Sequence, residues 1–134
     1  MSNGHATGTF TQKSWDESSF ADLEGAPKLT HAQIVMAYRG DMEGEGTSSS
    51  VMHYPSDDRA VYVGYERFVG PLGGRRGSFV TRAEGTFAEG AASTTWTVEP
   101  GSGTGELAGL RGEGRYVARQ GESAIGYEFD YRFE

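Results

Sequence analysis

The chain contains no cysteine. Disulfides, thiolate nucleophiles, Cys-ligated zinc and iron–sulfur clusters are therefore excluded. Nowhere does an apolar run approach the ~20 residues of a membrane helix, and no membrane partner is expected. Proline is scarce, at 4 in 134 residues, and no Gly-x-y period is present, so neither a proline-rich linker nor a collagen-like chain is described. Positive charge is also short: 12 Lys and Arg face 19 Asp and Glu, a formal net charge of −7. Such a field repels phosphate backbones and argues against nucleic acid as a partner. Arg75 and Arg76 are the only adjacent basic pair, and they read as a solvated hairpin tip. Met1 to Gly8 has neither a charged n-region nor an apolar h-region, so the expectation is a soluble, cytoplasmic protein.

Glycine is what the chain has in excess. Its 21 glycines are about 16% of the residues against a usual ~7%. The remaining apolar content is ordinary, and the length fits one globular domain. Period two dominates. Ile125, Tyr127, Phe129, Tyr131 and Phe133 alternate with Gly126, Glu128, Asp130, Arg132 and Glu134, placing five large apolar groups on one face of a strand. Strand character recurs over residues 7–15, 30–40, 46–54, 60–69, 78–87, 92–98 and 115–119, which makes about eight strands at hairpin spacing. Only 19–24 and 106–110 read as helical turns, and neither is long enough to cross over a parallel sheet. The connections are short, so the strands are expected to be sequential and antiparallel.

A meander barrel is favoured over a sandwich. Gly44, Gly46, Gly64, Gly85, Gly112, Gly114 and Gly126 interrupt good strand patterns, and interior glycines let a sheet coil and close. Closure removes the edges that invite aggregation.

Two glycine-rich segments carry a resemblance. Gly101 to Gly114 resembles a turn of the allene oxide cyclase-like and dirigent-like barrels. Gly64-Tyr65-Glu66-Arg67-Phe68-Val69-Gly70, followed by Gly73 to Phe79, looks like a small bacterial family, common in actinobacteria, of unknown function. Thr9 to Thr11, Ser14-Trp15 and Gly40 to Gly46 fit the same pattern. The resemblance implies an all-β, allene oxide cyclase-like barrel of about eight strands. It also implies an isomerase or cyclase without a cofactor, although no catalytic residue of those proteins aligns by motif with this chain.

Gly103 to Ala108 matches the dinucleotide fingerprint G-x-G-x-x-A, but Gly109, Gly112 and Gly114 break the helix that would hold pyrophosphate. The segment reads instead as a turn whose Leu107 or Leu110 plugs a barrel end. Asp41, Glu43 and Glu45 share one strand face and read as solubilising charge. His5, His31 and His53 have no metal-ligand spacing, and no G-x-S-x-G elbow is present.

Glu66 and Arg67 are adjacent in a strand, so one of them faces inward and needs a partner or a polar ligand. The companions of Arg67 are the more apolar set, Val61, Val63 and Tyr65, which favours Arg67 inside. Glu66 and Arg67 are the candidate catalytic pair. Trp15, Tyr38, Tyr65, Trp96, Tyr127 and Tyr131 are candidate ligand-lining aromatics. The leading reading is a barrel that takes a small, mostly apolar or aromatic molecule into its lumen. The rival is a non-catalytic homo-oligomeric module with a filled barrel, because residues 60–69 are apolar on both faces.

Overall fold

A computed structural model describes residues 3–134, with only the backbone of Asn3. Met1 and Ser2, the start of the segment read for a leader, lie outside the described residues. Nine strands follow in order: β1 (Asn3–Ser19), β2 (Lys28–Gly40), β3 (Gly44–Ser56), β4 (Arg59–Leu72), β5 (Arg75–Ala88), β6 (Ala91–Val98), β7 (Thr104–Gly105), β8 (Leu110–Arg119) and β9 (Ile125–Phe133). Every pairing is antiparallel. β1 to β6, then β8 and β9, pair in sequence, and β9 returns to β1. The result is a closed eight-stranded meander barrel, with β7 as a two-residue addition on β5. The strands run longer than the period-two segments alone indicate. Of the two segments expected as helical turns, 106–110 is a hydrogen-bonded turn and 19–24 is an irregular loop leading into a turn closed by Ala26 N and Leu23 O; no helix occurs among the described residues. None is therefore long and apolar enough to cross a membrane.

Two of the tightest connections show why glycine is abundant. Gly73 and Gly74 have φ of 57° and 86°, and Glu89 and Gly90 have 54° and 76°. Each pair bridges strands whose end residues face each other, Leu72 with Arg75 and Ala88 with Ala91. Two successive positive φ values define the hairpin turn that matches strand twist.

The barrel interior is divided along its length. At one end a chain of rings fills it. Tyr38 meets Phe68 edge-on at 5.4 Å, Phe68 meets Phe79 at 5.3 Å, and Trp96 meets Phe129 at 4.5 Å. Offset and edge-on contacts of this kind add to the burial of the rings. Met42, Leu72, Leu107 and Leu110 are buried with them. Both leucines expected as alternatives for a plug are thus in the core. Their loop is fastened to β5: Ser78 N donates to Thr104 Oγ1 at 3.0 Å, and Val80 N donates to Ser102 Oγ at 3.0 Å. The other end is hollow.

Candidate functional site

The hollow half is a cavity of about 260 Å³. Its walls come from seven of the eight barrel strands, and include Gln12, Trp15, Met36, Ser48, Met52, Tyr62, Ala83, Ala92 and Tyr116. A cavity of ~150 Å³ holds one benzene, so this space suits a molecule of roughly ten non-hydrogen atoms. A larger concavity of about 920 Å³ lies on the outer face of β4, β5, β6, β8 and β9, where Glu84, Thr86, Arg115 and Glu128 flank it. It is a shallow, open depression on the outer surface of the sheet. The lumen, enclosed and apolar, is the better candidate site.

Strand parity decides which charge enters the lumen. On β4, Ala60, Tyr62, Gly64, Glu66 and Phe68 point inward, whereas Val61, Val63, Tyr65, Arg67 and Val69 are exposed. The expectation that Arg67 faces inward is therefore corrected: Glu66 does, and Arg67 is on the outer face. Total apolarity misled because the outer residues of β4 are β-branched strand formers. The inner residues are instead chosen by the space and hydrogen bonds available. Gly46 on β3 leaves that space, since a Cβ there would overlap both the Glu66 carboxylate and the Tyr38 ring.

Glu66 sits between Ser48 of β3 and Thr81 of β5, its register partners, and both are buried. The Tyr38 hydroxyl donates to Glu66 Oε2 at 2.5 Å. Burial pushes the Glu66 carboxyl up to about 7, against a smaller downward pull from the Tyr38 hydrogen bond. Burial, reinforced by the Glu66 charge, in turn holds the Tyr38 phenol well above its usual range. Tyr62 shares a 2.6 Å hydrogen bond with Thr94, and burial raises it. Burial likewise raises Tyr116, whose ring lies edge-on to Phe10 at 4.8 Å.

A second polar cluster frames the mouth. Glu17 Oε1 accepts from Trp15 Nε1 at 2.9 Å, while its Oε2 accepts from Thr30 Oγ1 at 2.7 Å and from the Tyr54 hydroxyl at 2.5 Å. Partial burial raises the Glu17 carboxyl, but these hydrogen bonds outweigh it and hold the group below its ordinary value. Tyr54 is pushed up to about 12 by burial and by Glu17.

Of the six aromatics named from the sequence, Trp15 borders the cavity at its mouth, 47% exposed, whereas the Tyr65 side chain is on the outer face of β4, 52% exposed. Tyr38 stands beneath Glu66 and braces it from within the packed half. Trp96, Tyr127 and Tyr131 belong to that packed half. Trp96 lies over Gly114, where a Cβ would overlap its indole. The Tyr127 hydroxyl accepts from Met42 N at 2.9 Å, and Tyr131 lies between Phe129 and Phe133. Sequence reasoning missed Glu17, Tyr54 and Tyr116. Parity with Met52 and with Gly114 was a usable signal for the two tyrosines. Glu17 had none, because a bulge at Lys13 shifts the β1 register between Gln12 and Ser14.

The remaining candidates are on the surface. Asp41, Glu43 and Glu45 are exposed; Glu45 pairs with Lys13 at 2.7 Å, and Asp41 accepts from Thr7 N at 2.9 Å. His5 contacts Asp130 at 2.6 Å, and no group of three metal-ligating side chains occurs among the described residues.

Fold and cavity together define a class: a small closed β-barrel, solid at one end and ligand-sized at the other. Within that class the chain belongs to a family described as a protein of unknown function, DUF3224, whose model matches residues 6–131. It is similar to a crystal structure of a DUF3224 protein of unknown function from Shewanella oneidensis MR-1, at 27% identity and a TM-score of 0.80, with 99% of each chain covered. No curated protein matches the chain.

Proposed function

We propose that the hollow half of the barrel binds one small, mostly apolar molecule, and that Glu66 and Tyr38 supply the polar chemistry at its inner end. The observation that carries this reading is the cavity itself, apolar on most sides with one buried carboxyl at its floor. A carboxyl near neutrality is suited to accept a proton from a bound molecule and return it elsewhere on the same molecule. The site would also hold one reactive conformer away from water. This is the chemistry of a cofactor-free isomerase or cyclase, and the resemblance to allene oxide cyclase-like barrels supports it by analogy of fold. Arg67, pointing outward, has no part in it.

Native mass spectrometry of freshly purified protein tests the reading. A retained small molecule is expected in the wild type and its loss in Ala83→Trp, which fills the cavity. A wild type that carries nothing, and whose thermal midpoint is unmoved by a panel of apolar compounds, overturns the proposal. A second reading, self-association, is favoured by exposed Val51, Val61, Val63, Tyr65 and Val69 on the outer face of β3 and β4. Val51 and Val63 are direct cross-strand partners there. Sedimentation velocity at micromolar concentration decides it, and a clean monomer rejects it.

A further inference from the structure

Glu66 is a buried acid without a basic partner. Gln12, Ser48, Ser50 and Thr94 are polar residues of the cavity wall, yet the wall holds no Lys, Arg or His. The carboxyl has two oxygens. Oε2 is satisfied by Tyr38, and no described side chain donates to Oε1. Among the described residues, only Arg111 Nε is a sealed side-chain polar atom without a partner. The unused acceptor lone pairs of Oε1 therefore open into the cavity that Glu66 lines. A buried carboxylate is costly unless it is paired and hydrogen-bonded, and here the protein leaves one position of that pairing empty. The aromatic side chains of Trp15, Tyr62 and Tyr116 border the same space, and the face of such a ring attracts a cation.

We infer that the cavity takes an apolar amine, whose ammonium donates to Glu66 Oε1 while its hydrocarbon part fills the space between Met36, Met52 and Ala83. The inference rests on the lumen-binding reading above and adds the chemical class of the ligand. An anionic ligand of the same shape would meet a carboxyl and no cation. A neutral alcohol would keep the hydrogen bond and lose the charge.

The pH dependence follows from what faces Glu66. Tyr38 on β2, Tyr62 on β4 and Tyr116 on β8 are its titratable neighbours, and all three are raised above the usual phenol range. The neighbours from β3 and β5 are Gly46, Ser48 and Thr81, which do not titrate. Of the groups in this cluster, Glu66 is the one whose charge changes between pH 6 and 8, and an alkylammonium stays protonated up to about pH 10. With Glu66 near 7, its ionised fraction falls from about nine-tenths at pH 8 to about one-tenth at pH 6.

Isothermal titration calorimetry with 2-phenylethylamine, 2-phenylethanol and phenylacetate tests the inference. At pH 8 the amine is expected to bind about tenfold or more tighter than the alcohol. Its affinity should drop about tenfold by pH 6, while that of the alcohol stays level. Glu66→Gln should equalise the two and remove the pH dependence. The wild-type pH profile carries the test by itself if that variant does not fold. Equal binding of amine and alcohol at both pH values, or tightest binding of phenylacetate, overturns the amine and leaves lumen binding standing. Binding of none of the three overturns the lumen reading and the amine with it.

Discussion

The chemistry of the barrel turns on one side chain, Glu66, and on what its burial does to its proton. The carboxyl titrates near 7 in the folded chain and near 4.5 when unfolded. Between these values the folded state holds a proton that the unfolded state has released, so stability falls as pH rises from about 4.5 to 7. The shift corresponds to about 3 kcal/mol. Glu66→Gln keeps an acceptor for the Tyr38 hydroxyl and removes the titration. The variant is expected to gain on the wild type steadily across that window, reaching about 3 kcal/mol by pH 8. Urea unfolding at pH 4.5, 6 and 8 measures this, and a difference independent of pH would show that Glu66 is not the buried acid described. The adjacent Glu66 and Arg67 show what a sequence discloses at this scale. That one of the two must enter the lumen follows from parity. Which one enters does not, because the deciding features are Gly46 and Tyr38, contributed by two other strands.

At the scale of the element, β1 is the instructive strand. Up to Gln12 its even-numbered residues face inward, as buried Ala6 and Phe10 show. The extra residue at Lys13 then transfers the inner face to odd numbers, which brings Trp15 and Glu17 to the cavity mouth. The bulge absorbs one residue, so the rim cluster with Thr30 and Tyr54 keeps its register with β2. Deleting Lys13 should restore regular pairing and leave Trp15 and Glu17 on the inner face, because Gln12 and Ser14 already pair with successive β2 residues, Met36 and Val35. Tryptophan emission is expected to stay unchanged, with Trp96 buried as before, and stability to stay level or rise modestly. A red shift would mean that the extra residue, rather than the register with β2, holds Trp15 at the mouth. The eight period-two segments were legible because alternation is a local property of the chain. The bulge was not, since nothing around Lys13 breaks the pattern until β2 supplies the register. The same limit explains why residues 19–24 and 106–110 were read as helical turns. Phe20 N bonds across to Leu29 O of β2, and Glu106 N to Arg76 O of β5, beside the local bonds at Leu107, Ala108 and Leu110.

The whole molecule is a barrel that is packed at one end and left short of side-chain volume at the other. In the packed half, interior glycines serve as seats for rings, so the glycine excess does more than let the sheet coil. The hollow half is walled by small residues such as Ser48, Ser50, Ala83 and Ala92, which leave the cavity unfilled. Unfilled interior volume forfeits dispersion contacts, so a chain shaped for stability alone would have larger residues at these positions. The two halves should then respond oppositely to changes of volume. Phe68→Ala, in the ring chain, is expected to cost about 3–5 kcal/mol. Ala83→Leu, which adds three carbons to the cavity wall, is expected to change stability by less than about 1 kcal/mol, or to raise it. It should also abolish the uptake of any small molecule that the wild type binds. Paired urea unfolding and ligand titration of the two variants measure both responses. A cost for Ala83→Leu as large as that of Phe68→Ala would mean that the space beside Ala83 is already filled in solution, and the functional reading built on an open lumen would fall with it.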